Sequence, residues 1–236
     1  MAGEFSDTPI SPDNLPERRL SRENHLLASE NFGQAPKAVV VTTGWPEEEN
    51  EWAQSTKQAL NTLFGKANSE MAIAQVYIGR NPRDIFRLSG QDGYLAHALR
   101  EAKDSKVDLV VFSVGAQALW GLPPDTFKNI NSLIIVSPFL GKEGLQSWWR
   151  RKMTSLLRLP EARNYCAQIA PLIEHLAAEG KPVILSLGKQ DHLIDNNCVR
   201  NLFSQNFPNV PVHTEERGHA PTEEQLLALI FQPKNQ

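Results

Sequence analysis

Six short apolar runs recur along the chain, each rich in Val, Ile and Leu and each closed by polar or turn residues: Ala38 to Thr43, Ala72 to Ile78, Val107 to Ser113, Ser132 to Ser137, Pro182 to Leu187 and Val210 to His213. Near-continuous apolar character, rather than alternation, predicts strands buried on both faces. Between these runs the apolar positions take helical spacing over Glu47 to Leu63, Tyr94 to Lys103, Ala116 to Trp120, Ala162 to Ala178, Asn196 to Gln205 and Thr222 to Phe231. Strand and helix alternate, with connections long enough for crossover helices. The pattern predicts an α/β fold, a mostly parallel sheet of about six strands with helices on both faces. Ligands in such sheets sit at the carboxyl ends of the strands, so the residues just past each run matter most.

Composition narrows the field by exclusion. The 236 residues carry a net charge of −3, with 41% hydrophobic and 22% charged residues, as in a folded protein with no bulk attraction to nucleic acid or anionic membrane. No window reaches the 18 or so apolar residues of a membrane span, and the polar N-terminus shows no apolar signal core, so a cytoplasmic protein is expected. Residues 1–36 are rich in Pro, Ser, Asn, Glu and Arg, with one short apolar group at Leu26 and Leu27, and are expected to form a flexible arm ahead of a single domain over 37–236. Cys166 and Cys198 are too few for a disulfide framework and read as reduced thiols. Gly115 follows a strand but lacks partner glycines at nucleotide-binding spacing, and the histidines form no ligand pair on one helix face, so neither cofactor nor metal is expected.

Three segments carry candidate chemistry: Val-Phe-Ser-Val-Gly at 111–115, Gly-Lys-Gln-Asp at 188–191 and Arg-Gly-His-Ala-Pro at 217–221. They set Ser113, Asp191 and His219 just past apolar runs, in the chain order Ser…Asp…His. The stretch Val-Asp-Leu-Val-Val-Phe-Ser-Val-Gly-Ala-Gln-Ala-Leu resembles the strand, nucleophile turn and helix of the α/β-hydrolase superfamily, and the resemblance extends over about residues 37–232. It implies a nucleophile at Ser113 within a Gly-x-Ser-x-Gly motif, of which Gly115 keeps the second glycine while Val111 replaces the first. A register shifted by two, with Gly115 at the nucleophile position, is the alternative, as is a Ser113 that only caps a helix. Asp191 falls on the family's acid, with Asp195 and Glu143 as other carboxylates that could serve. His219 lies in a Gly-His loop like that of the family's general base, whereas His192 reads as a loop residue.

Val-Val-Thr-Thr-Gly-Trp-Pro at 40–46 resembles the family's oxyanion loop with Thr43 in place of histidine. The N–H of Trp45, or of Gly44, would then pair with that of Val114 to hold a developing oxyanion. Residues 139–160 occupy the place of a short lid. There Trp148 and Trp149, followed by Arg150, Arg151 and Lys152, either wall a substrate pocket or form the buried side of an amphipathic helix. The absence of a recognisable strand pair before Ala38 implies a reduced form lacking the first two of the usual eight strands. The resemblance implies a serine hydrolase of a small-molecule ester or thioester, with no nucleic-acid partner. The alternative, kept open by Val111 and Thr43, is a non-catalytic binding or scaffold protein of the same fold with a protein partner.

Overall fold

The structure, a computed structural model, describes residues 18–21, 26–43, 51–77, 89–147 and 161–231. Among these, eight strands form one sheet: β1 (Arg18–Ser21), β2 (Leu26–Ser29), β3 (Lys37–Thr43), β4 (Met71–Tyr77), β5 (Lys106–Phe112), β6 (Ile130–Val136), β7 (Val183–Gly188) and β8 (Val212–Glu215). Their order is β1-β2-β4-β3-β5-β6-β7-β8. From β4 to β8 every neighbour is parallel, while β2 pairs antiparallel with β1 and β4. All six expected strands are present, but residues 18–21 and 26–29 correct the expectations of a wholly flexible arm and of a sheet without its first two strands. The physical reason is length: both strands have only four residues, of the two only β1 lies at the sheet's edge, and β2, though paired on both sides and largely buried, offers only Leu26, Leu27 and Ala28 as apolar signal. Ser29 anchors this edge: its hydroxyl accepts from the Ile73 amide at 3.0 Å and donates to Asn31 Oδ1 at 2.8 Å.

Among the described residues five α-helices cover the sheet: α1 (Glu51–Gly65), α2 (Tyr94–Glu101), α3 (Ala162–Ala178), α4 (Asn196–Asn206) and α5 (Glu223–Phe231). On one face Leu63 and Phe64 of α1 and Leu226 and Ile230 of α5 pack on Val39, Val41, Val110 and Ile134. On the other, Leu95 and Leu99 of α2, Tyr165, Ile169 and Leu172 of α3 and Phe203 of α4 pack on Val40, Leu109, Val111 and Ile135. The two clusters take alternate residues of the same strands, which is why the runs read as continuously apolar. Each fully buried Leu, Ile, Val or Phe contributes about 1.5–3 kcal/mol relative to exposure, so this double coverage makes the central strands the rigid part of the molecule. No helix among the described residues is long and apolar enough to cross a membrane.

After β5 the chain enters a 3-10 helix, Ser113–Leu119, where a regular helix from Ala116 was expected. It packs so tightly on β3 that a Cβ on Gly115 would lie 2.7 Å from Thr42 Oγ1 and 2.8 Å from the Thr42 carbonyl oxygen. Thr42 Oγ1 in turn donates to the Gly115 carbonyl at 3.0 Å. Gly115→Ala should therefore destabilise the protein by about 1–3 kcal/mol through overpacking against backbone that cannot retreat. Urea unfolding measures this, and an unchanged midpoint would contradict the close approach.

Candidate active site

Strand order reverses around β3, because the chain runs from β3 outward to β4 and then returns to lay β5 on the other side. Ser113 sits at the carboxyl end of β5, beside that reversal. Its φ is +54°, a left-handed conformation rare for a residue with a side chain, and a sharp turn of this kind lifts the side chain out of the strand's line. Gly115 has no positive φ and is pressed on Thr42, so the turn is centred on Ser113 and the register shifted by two does not describe it. Nor does Ser113 act as a helix cap: Phe112 occupies that position, and the Ser113 hydroxyl is engaged elsewhere.

Its partner is His219. The ring nitrogen Nε2 lies 2.7 Å from Ser113 Oγ, and Nδ1 lies 2.8 Å from Asp191 Oδ2. An ionised carboxylate only accepts, so Nδ1–H donates to Asp191 and the unprotonated Nε2 accepts from the serine hydroxyl. Asp191 is held from the other side by the Leu193 and Ile194 amides, which donate to Oδ1 at 2.8 and 3.1 Å. Burial opposes charge on this carboxyl, but the hydrogen bond and field of His219 and the Ile194 and Leu193 amides outweigh it and hold the pKa below the ordinary value. Phe112 tilts against the His219 ring at 5.2 Å between centroids, closing its other flank.

The acid and histidine loops are laced together through glycine. A Cβ on Gly188 would fall 2.0 Å from the Gly218 carbonyl oxygen, so the loops could not approach with any side chain there. The Lys189 and Gln190 amides donate to the Glu215 and Arg217 carbonyls at 2.9 Å each, and Asn196 Nδ2 donates to the Gly188 carbonyl at 2.6 Å. The other carboxylates considered are used elsewhere. Asp195 caps α4 by accepting from the Cys198 amide at 3.0 Å, and Glu143 accepts from the Ala162 amide at the start of α3 at 2.9 Å. His192 is exposed.

Val114, first after the turn at Ser113, is buried, as is Thr43, whose Oγ1 accepts from Gln75 Nε2 at 3.0 Å. Gly44, Trp45, Trp148 and Trp149 lie outside the described residues, as does most of the expected lid. Its first part, through residue 147, packs on the acid loop, with Gln146 donating through its amide to the Leu193 carbonyl and through its side chain to that of Ile194. Val111, the departure from the motif, is fully buried in the core between β3 and β6. Burial, and secondarily Cys198, pushes the Cys166 thiol up to about 11, so it is no nucleophile near neutral pH. Among the described residues no three His, Cys, Asp or Glu side chains stand together as a metal site.

No protein-family model matches the chain, and no curated protein matches it. Solved structures do. The Pyrococcus furiosus esterase Pf2001 aligns at a TM-score of 0.54 and 16% identity over 95% of this chain and 88% of its own. The metagenome-derived lipolytic enzymes LipS and LipT give 0.54 at 14% over 91% and 100%, and the thioesterase domain of the curacin biosynthetic pathway 0.52 at 14% over 88% and 94%. The chain has the α/β-hydrolase fold. Identities this low speak to the fold alone, and in this α/β-hydrolase fold the Ser113, His219 and Asp191 row occupies the carboxyl rim of the sheet.

Sequence reasoning passed over one set of residues beside that row: the buried Arg217, Ser186 and Ser137, which with the half-buried Glu215 form a polar cluster behind His219. The charged pair just ahead of Gly218 was the only available signal.

The depressed pKa of Asp191 makes its contribution to stability present above the unfolded carboxylate pKa of about 3.9 and lost as pH falls through the lower folded value. Urea unfolding from pH 7 to pH 3 should therefore show the wild type losing stability more steeply below about pH 4 than Asp191→Asn. Parallel declines would show that the carboxylate is not held as described.

Proposed function

We propose that the protein is a serine hydrolase that cleaves a carboxylic ester or thioester through an acyl-enzyme on Ser113. The observation that carries this reading is the continuous hydrogen-bonded row from Ser113 Oγ through His219 to a buried Asp191, built on a left-handed turn at a strand end. That structures of the same fold include an esterase and a thioesterase domain supports the reaction class.

Ser113 Oγ attacks the acyl carbon while its proton passes to His219 Nε2. Asp191 keeps Nδ1 protonated and offsets the charge of the imidazolium that forms. The carbonyl oxygen, now an oxyanion, takes a hydrogen bond from the Val114 amide, with Trp45 or Gly44 supplying the second donor. Collapse of the tetrahedral intermediate breaks the bond to the leaving alcohol or thiol, which receives the proton from Nε2. Water then repeats the cycle: it gives a proton to Nε2, attacks the acyl-serine and releases the acid, and the proton returns to Ser113. None of these steps calls for a cofactor.

A fluorophosphonate probe should label Ser113 in the wild type and not in Ser113→Ala. On p-nitrophenyl esters and acyl-thioesters of graded length, Ser113→Ala and His219→Ala should each lower kcat by about 10⁴-fold or more, and the double variant should lose little further. Absence of labelling in folded protein would favour a non-catalytic binding role, and additive losses would contradict a single catalytic unit.

A further inference from the structure

Arg217 turns inward and is 4% exposed, a degree of burial that a guanidinium tolerates only when its fork is matched by acceptors. Nε donates to Glu215 Oε2 at 2.9 Å and Nη2 to Ser186 Oγ at 2.8 Å, while Ser186 Oγ donates to Glu215 Oε1 at 3.0 Å. Nη1 donates to Ser137 Oγ at 3.0 Å, to the Gly218 carbonyl at 3.1 Å and to the His219 carbonyl at 2.9 Å. The side-chain acceptors belong to the carboxyl ends of three strands: Ser137 just past β6, Ser186 in β7 and Glu215 closing β8. Ser137 is itself held at a φ of +41°, and its amide donates to the Ser186 carbonyl at 2.8 Å. A surface ion pair would need only the carboxylate. Here one cation ties three strand ends to the backbone of the histidine.

We infer that Arg217 is a positioning residue for His219, fixing through the Gly218 and His219 carbonyls the backbone from which the imidazole reaches both Ser113 and Asp191. The inference rests on the serine-hydrolase reading for its consequence in rate, but its geometric content can be read without turnover. Glu215 balances the charge, so the cluster is neutral as a pair and its contribution is directional. Lysine at this position keeps the charge and loses the planar fork, and a single ammonium cannot reach Ser186, Ser137 and both carbonyls at once.

The experiment compares wild type and Arg217→Lys by two readouts on folded protein: the low-field proton resonance of the His219–Asp191 hydrogen bond, and the rate at which a fluorophosphonate labels Ser113. In Arg217→Lys the resonance should be lost or broadened and labelling slowed by about 100-fold, the scale of an ångström's misplacement, with probe binding little changed. In a His219→Ala background the same substitution should slow residual labelling no further. A folded Arg217→Lys with wild-type resonance and labelling rate would overturn the inference. If that variant does not fold, Ser137→Ala, which removes one acceptor from Nη1, should slow labelling about fivefold, and no slowing would overturn it equally. A wild type that shows the resonance but never labels contradicts the hydrolase reading, and the resonance in Arg217→Lys then decides the positioning role alone.

Discussion

One imidazole ring joins parts of the chain that lie far apart in sequence, and the site depends on its two hydrogen bonds. Through Nε2 it meets a serine 106 positions away, and through Nδ1 an aspartate 28 positions away. Both bonds are short enough that a shift of an ångström would break one of them. Much of the surrounding architecture prevents that shift. Gly188 allows the acid and histidine loops to touch, the Leu193 and Ile194 amides fix the carboxylate, and the left-handed turn at Ser113 presents the hydroxyl.

The sheet is the frame that makes such tolerances possible. Strands covered on both faces have little freedom, so groups one to four residues past their ends inherit that rigidity. The segment after Ser113 is tied down as well: Gln117 donates to the Phe139 carbonyl, the Phe139 amide donates to the Ser113 carbonyl, and the hydroxyl of the fully buried Tyr165 donates to the Ala116 carbonyl. Packing on α3 therefore reaches Ser113 through these short polar links. Arg217 does the same on the histidine side, with strand ends β6, β7 and β8 as its supports.

What was legible in the chain were features that local chemistry dictates. Apolar runs marked the buried strands, and Ser113, Asp191 and His219 stood out because each follows such a run in a recognisable order. The first two strands were not legible, because Arg18–Ser21, at the edge, has few apolar residues and pairs on one side only, and Leu26–Ser29 is only four residues long. Arg217 was not legible either: an arginine beside a glycine reads as a surface residue until Ser137 and Ser186, 80 and 31 positions earlier, come round to meet it. The choice between registers at Ser113 and Gly115 likewise needed a backbone angle and the distance to Thr42. Val111, which departs from the motif, lies in the core, two residues ahead of Ser113 along the strand.

Mass spectrometry of the protein quenched milliseconds after mixing with a p-nitrophenyl ester tests the central claim most directly. The account predicts a transient gain of one acyl group on the peptide that contains Ser113, decaying as the acid appears. Ester turnover with no acyl group on that serine, or an acyl group settled on another residue, would contradict it.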